Sequence, residues 1–279
     1  MYQFEVPVGR LTASITEYQK NEHMNNLQLL AFQIAKILNL SLDRLTESYN
    51  GNSALSLIST GSLVWARFPN IADQTKNSIS QKLEQLEPYR LISQTYTLPF
   101  PVIVQAFHLL SIPHLTSIHR QTLRNMKITK VNPMVETELG GTVKFTTEMD
   151  SGRNLLNLFH SSQKVSSQNQ VKLSCWGPYS IQLEIPAKLG NISVWFHFAP
   201  TTSDSHQLYI DIYCDQEIQG RGLAWVLLQI SSYLTVLEDM DYFKQLNKIA
   251  TSLSIIDRPE AALWNRYYEL YGNYLRVNK

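Results

Sequence analysis

Three of the chain's seven histidines fall in one short segment, FHLLSIPHLTSIH at residues 107–119. His108, His114 and His119 sit there in a mostly apolar stretch. Neutral imidazole is the commonest transition-metal ligand, and two imidazoles leave room for a carboxylate and for open positions. On an unbroken helix, a spacing of five residues would hold His114 and His119 about 140° apart around the axis. Pro113, after Ser-Ile, predicts that a helix ends or bends here, and at a bend both rings can face one point. The spacing HxxxxH is common in itself, and ordinary core or surface histidines would produce it too.

A third ligand can come from a long helix expected over residues 223–246. Its segment VLEDMDYF places Glu238, Asp239 and Asp241 among apolar side chains. A carboxylate buried without a cation, a donor or a metal is costly, whereas a helix end emerging into water would carry acids freely. The helical period gives an apolar stripe of Leu223, Leu227, Ile230, Leu234 and Leu237, with Asp241 on its Ile230/Leu234 side and Asp239 opposite. Leu228, Val236 and Phe243 make the other faces apolar as well, so the helix is expected to be buried nearly all round. Periodicity alone does not select Asp239.

The elements that must position these groups read as α+β. Residues 27–38 have helical period, with Asn25 and Asn26 as caps, and residues 41–44 can start another short helix. Residues 55–58 and 62–68 form a hairpin across Thr60-Gly61, and residues 73–86 a polar, exposed helix. A strand over 89–97 is ended by Pro99 and Pro101. After the histidine segment come strands over 126–131, 142–147, 171–176, 179–185, 192–198 and 208–214. In NISVWFHF, Ile192, Val194, Phe196 and Phe198 point one way and Ser193, Trp195 and His197 the other; LYIDIYC alternates likewise. Such strands predict an antiparallel sheet with both faces in use. A last helix is expected near residues 259–275, capped by Asp257, with Pro259 in its first turn. The expected architecture is a curved antiparallel sheet gripped by the long C-terminal helix, a START-like helix-grip, with a small mixed N-terminal region.

Bulk properties narrow the function. A net charge of +1 without a basic block argues against nucleic acid as a partner. The start MYQFEVPVGR lacks a signal peptide's apolar run, and residues 223–230 are too short a stretch to span a bilayer. A cytoplasmic protein is expected. Only two cysteines, Cys175 and Cys214, are present and they form no close pair, which rules out a disulfide framework and an iron–sulfur cluster that needs three or four cysteines or two in a close paired motif. Gln219-Gly-Arg-Gly is too short for a nucleotide fingerprint.

With these residues assembled, the chain resembles a family. Ser111, His114 and His119 in SxxHxxxxH are similar to the DxxHxxxxH motif of the catalytic domain of Rieske non-haem iron oxygenases. LEDMDYFKQL resembles that family's helix with the aspartate ligand; position by position the ligand falls on Asp239, with Asp241 the alternative. SIIDRPEAALWNRYYELY resembles the family's Asp-rich turn and final helix, and WFHFAPTTSDSHQLYIDIY the strand–turn–strand before the aspartate helix. The resemblance covers about residues 90–275 and implies Fe(II) held by His114, His119 and Asp239.

The departures are as informative. The family's CxH and CxxH pairs, which hold a [2Fe–2S] cluster, have no counterpart, and in residues 1–95 only GSLVWARF resembles the last hairpin of that domain. Ser111 stands where the family's bridging aspartate links one subunit's cluster to the next subunit's iron, and His108 where the family often has asparagine. Residues 1–95 thus read as a cluster-free remnant and 96–279 as the catalytic domain. The implied activity is oxidation of an apolar, aromatic or cyclic small molecule. Electrons would come from a ferredoxin-type or Rieske-type donor or from a co-substrate, and an oligomer is possible. Trp195, His197 and Tyr213 are expected, with His108, to contact substrate between the sheet and the long helix. The competing reading is a metal-free protein that binds hydrophobic ligands, or a non-catalytic partner subunit of the same fold. Since Cys175 and Cys214 are the only thiols, the purified chain is expected to show no iron–sulfur absorption in the visible range, which a spectrum checks directly.

Overall fold

The computed structural model describes residues 5–10, 56–60, 63–67, 79–113, 115, 127–137, 139–148, 168–187, 190–202, 204–214, 222–243 and 253–275. The helices expected over 27–38 and from residue 41 lie outside the described residues, as do His114 and His119.

Eleven strands are described. β1 (Glu5–Arg10), β2 (Ser56–Thr60) and β3 (Leu63–Arg67) form a three-stranded antiparallel sheet in the order β1-β3-β2. The expected hairpin is β2–β3; β1 was not foreseen. The large sheet holds β4 (Arg90–Leu98), β5 (Lys127–Val131), β6 (Val135–Thr137), β7 (Gly140–Glu148), β8 (Gln168–Trp176), β9 (Ser180–Ala187), β10 (Gly190–Thr202) and β11 (Ser205–Cys214). Its order is β4-β11-β10-β9-β8-β7-β5, with β6 also paired to β7, and all these pairings are antiparallel. The sheet is open, with β4 and β5 at its ends. A division at residue 95 would fall inside β4.

Alternation in β10 and β11 sets the two layers. Phe196 pairs across the ladder with Ile210, and Phe198 with Leu208; all four belong to the main core. Trp195 pairs with Asp211 and His197 with Tyr209; Trp195, Tyr209 and Tyr213 instead join Leu63, Trp65, Ile79 and Leu83 in a second core on the other side. Ile79 and Leu83 come from α1 (Ile79–Leu86), which therefore buries a face although its sequence reads as polar and exposed.

Three helices share the main face. α2 (Val102–Leu110) lies near β9 and β10, α3 (Leu223–Phe243) near β4, and α4 (Ala262–Leu275) near β7. The long helix α3 thus shares this face with α2 and α4. Pro99 and Pro101 end β4, and Pro101 caps α2. α2 stops where Pro113 requires: Ser111 is extended, and its N–H donates to the Phe107 and His108 carbonyls.

α4 follows a 3-10 turn at Pro259–Ala261 that starts after Arg258, not after a capping Asp257. It is tied down by hydrogen bonds as well as by packing. Trp264 Nε1–H donates to the Ser254 carbonyl (2.9 Å), Tyr267 OH to Pro178 (2.8 Å) and Tyr271 OH to Leu139 (3.0 Å). Burying a ring adds apolar stabilisation, and the polar tip stays satisfied.

Two glycines with positive φ give a test of packing against backbone strain. A Cβ at Gly140 (φ 144°) would lie 2.8 Å from Cys175 Sγ and 3.1 Å from its carbonyl oxygen, whereas at Gly177 (φ 93°) it would meet open space. Gly140→Ala is expected to destabilise the chain by roughly 2–4 kcal/mol and Gly177→Ala by about 1 kcal/mol, read from urea denaturation.

Candidate functional site

The acids of α3 are separated by the face they occupy. Ser232, Val236, Asp239, Met240 and Phe243 are buried, at the i, i+4, i+7, i+8, i+11 positions of one face. Val226, Ile230, Tyr233, Leu234 and Leu237 repeat the same spacing on a neighbouring face, about 120° round the helix, and are 38–47% exposed. The stripe expected to face the core is therefore the outward one at every described position, and the helix is not buried all round. Asp239 is 3% exposed and Asp241 is exposed. Periodicity grouped Asp241 with Ile230 and Leu234 correctly; it did not say which group faced inward.

His108 meets α3 at the same end. Its ring stacks on Tyr242, centroids 4.2 Å apart and planes at 26°, and meets Phe243 edge-on at 5.4 Å. Tyr242 and Phe243 lie three and four residues beyond Asp239, one helical turn. The last turn of α2, from which the chain runs on to His114 and His119, is thus packed against the turn that follows the buried acid. Among the described residues no group of three His, Cys, Asp or Glu side chains could hold a metal ion; His114 and His119 are outside that set.

Trp195, His197 and Tyr213 are not brought to this place. Their face of the sheet turns away from α3, toward the N-terminal strands. The His197 ring lies 4.9 Å from Trp65 and 5.6 Å from Trp195, and Ser180 Oγ is 3.0 Å from His197 Nδ1. The physical reason is register: these residues alternate with Phe196, Phe198 and Ile212, and that apolar set claims the helix side. Tyr213 instead lines an open cleft of about 360 Å³, together with Lys82, Lys172, Gln182, Glu184 and Ser193. Gln182 organises this cleft. Its Oε1 accepts from Trp176 Nε1 (2.9 Å) and Lys82 Nζ (3.3 Å); its Nε2 donates to Glu184 (2.9 Å) and Ser193 (2.9 Å). Burial pulls the Lys82 ammonium below its usual pKa, Glu184 opposes that, and Lys172 adds to the lowering.

Two buried polar side chains on the helix side escaped the sequence reading. His206 starts the β11 run of Leu208, Ile210 and Ile212, and its inward position was readable from that alternation. Its ring is packed edge-on against Phe100 (5.4 Å) and Phe198 (5.9 Å). His206 Nδ1 lies 2.8 Å from the Phe100 carbonyl, which can only accept, so Nδ1 carries the proton and Nε2 presents a bare lone pair. Gln105 is the one amide in the apolar run of α2 and is fully buried.

No family model matches the chain, and no curated protein matches it. Solved structures share its fold. Dicamba monooxygenase bound to dicamba superposes with a TM-score of 0.50 at 10% identity, covering 79% of this chain and 69% of that one. The quaternary ammonium Rieske monooxygenase CntA, with an inhibitor, gives 0.49 at 10% identity over 80% and 61%. NdmA from Pseudomonas putida CBB5, with caffeine, gives 0.47 at 14% identity over 77% and 60%. The fold likeness rests on the first of these, dicamba monooxygenase. No described helix is long and apolar enough to cross a membrane.

Burial lowers the pKa of His206 to about 4, with the Phe100 hydrogen bond partly opposing it. The folded chain therefore resists a proton that the unfolded chain takes up near pH 6.5. This histidine's contribution is complete above that pH and is lost as pH falls toward 4, a change on the order of 3 kcal/mol. His206→Gln is expected to remove that part of the acid sensitivity, measured as unfolding free energy against pH, and an NMR titration should find the ring neutral at pH 5.5.

Proposed function

We propose that the chain is a mononuclear non-haem iron oxygenase or oxidase, with His114, His119 and Asp239 as the ligands of Fe(II). The observation that carries this reading is the burial of Asp239, two residues before an exposed Asp241, on the turn of α3 against which the histidine-bearing end of α2 is packed. Two imidazoles and one carboxylate are a donor set suited to iron(II) with open positions. Bound iron would supply reductive activation of O₂. The fold likeness to dicamba monooxygenase agrees with this chemistry.

The chain's own residues do the rest. Asp239 brings a negative charge into an apolar layer, where a cation is bound more strongly than in water. His108 is stacked on Tyr242, and on this reading it contacts substrate from the α2 side. Phe196, Phe198, Leu208 and Ile210 of the main core give the sheet side an apolar character, which suits an apolar, aromatic or cyclic small molecule. Electrons come from a separate ferredoxin-type or Rieske-type donor, or from a co-substrate, because the two cysteines are buried in β8 and β11, strands separated in the sheet by β9 and β10, and do not form a close pair of cluster ligands. Residues 1–95 are, on this reading, the reduced counterpart of a cluster domain, and the protein works in the cytoplasm.

One observation favours a second reading, a metal-free protein that binds apolar ligands. Ser111 caps α2 at the position where the resemblance calls for an electron-bridging aspartate.

Metal analysis of anaerobically purified protein separates the two. The first reading expects about one iron per chain, with Asp239→Asn weakening iron binding at least ~10-fold and Asp241→Asn leaving it unchanged. Stoichiometric iron that survives Asp239→Asn would remove Asp239 from the ligand set. Absence of iron in the parent chain, with retained binding of an apolar ligand, would select the second reading.

A further inference from the structure

Gln105 sits in the middle of α2, fully buried, and among the described residues neither its amide nitrogen nor its amide oxygen has a hydrogen-bond partner. Its helical neighbours Val104 and Ala106 are buried and apolar, as are Val102, Ile103, Leu109 and Leu110. A primary amide offers two donors and an acceptor, and buried amides are almost always paired. An apolar side chain of the same size would pack here without that penalty. The amide is therefore out of place for packing and in place for a partner that arrives from outside.

Its position indicates where that partner would lie. Gln105 and Phe107 are about 160° apart around the axis, while Gln105 and His108 are about 60° apart. Phe107 meets Trp264 of α4, with ring centroids 4.9 Å apart. His108 meets Tyr242 and Phe243 of α3. Gln105 thus belongs to the side of α2 turned away from α4, about 60° round the helix from the residue that meets α3.

We propose that Gln105 is the polar anchor of the ligand on this side of α2, and that the ligand is a cyclic molecule carrying a lactam or carboxamide edge. Such an edge presents a carbonyl beside an N–H and pairs with both ends of the Gln105 amide through two parallel hydrogen bonds. The rest of the molecule is apolar, matching the side chains around it. This rests on the proposed function only in placing a small molecule between α2, α3 and the sheet; it does not need the iron.

The test uses the full chain as purified and three matched probes: δ-valerolactam, N-methyl-δ-valerolactam and cyclohexanone. The methylated lactam keeps the carbonyl and loses the donor; cyclohexanone keeps the ring and one acceptor. Binding is followed by calorimetry, with ligand-detected NMR for weak affinities. The lactam is expected to bind at least ~10-fold more tightly than either analogue, a difference in keeping with loss of one buried hydrogen bond. Gln105→Leu, or Gln105→Met should leucine not fold, is expected to bring the three probes to within about twofold and to raise the melting temperature, since an unpaired amide has been replaced by an apolar side chain. Equal affinities in the parent chain, no binding of any probe at millimolar concentration, or a lactam preference that survives both variants would overturn the proposal. So would a fall in melting temperature in both variants, which would assign the amide to a buried water. Iron content is measured in the same samples. A lactam preference without iron supports Gln105 as anchor and shifts the function to the binding protein; iron without the preference overturns this inference alone.

Discussion

The ladder between β10 and β11 is the constraint on which the molecule depends. These strands bury both faces, so each residue pair across the ladder commits one layer or the other: Phe196 with Ile210 to the helices, His197 with Tyr209 to the N-terminal strands. A slip of one residue would exchange the two sets. It would drive Asp211 and His197 into the helix side and leave Phe198 facing α1. That exchange is opposed from both directions, because Ser93 Oγ donates to Asp211 at 2.7 Å on one face while Leu208 and Ile210 are fully buried on the other.

The helix layer inherits its order from that ladder. α2, α3 and α4 pack on the apolar set of the sheet and on one another, and α3 and α4 use polar groups to fix their place. Gln229 of α3 donates to the Leu91 carbonyl (3.1 Å) of the edge strand β4. Asn265 of α4 exchanges two hydrogen bonds with Ile256, accepting at 2.9 Å and donating at 2.7 Å, which closes the segment leading into the helix. The buried acid of α3 is thus held on an element whose rotation is set from outside the site.

The strands were legible because alternation is a strong signal when both faces are buried; all seven expected in the large sheet exist, most of them longer than expected. β1 went unread because Glu5–Arg10 is short and interrupted by Pro7 and Gly9. α3 shows where a one-dimensional pattern stops. Its two faces carry the same apolar spacing, so the sequence holds two equivalent solutions, and only contact with β4 and α2 chooses between them. The family resemblance favoured Asp239, the acid that is buried, because it compared order along the chain and not faces of a helix. The substrate-facing role expected of Trp195, His197 and Tyr213 fell to a similar ambiguity. Alternation separated them from Phe196 and Phe198, but nothing in the letters said that the N-terminal strands would cover their side. Gln105 and His206 were each legible as a lone polar residue in an apolar pattern.

Among the described residues the eight-stranded sheet does not close, and a terminal strand is where a second chain would continue the ladder. β5 is that strand on one side. It carries Lys127 and Lys130, both exposed, and its pairing with β7 shifts register between Ile128 and Lys130. Two like copies approaching edge to edge would bring four ammonium groups together on a bent backbone that offers no straight row of hydrogen bonds. Lys127 and Lys130 make self-templated fibre growth along this edge unfavourable.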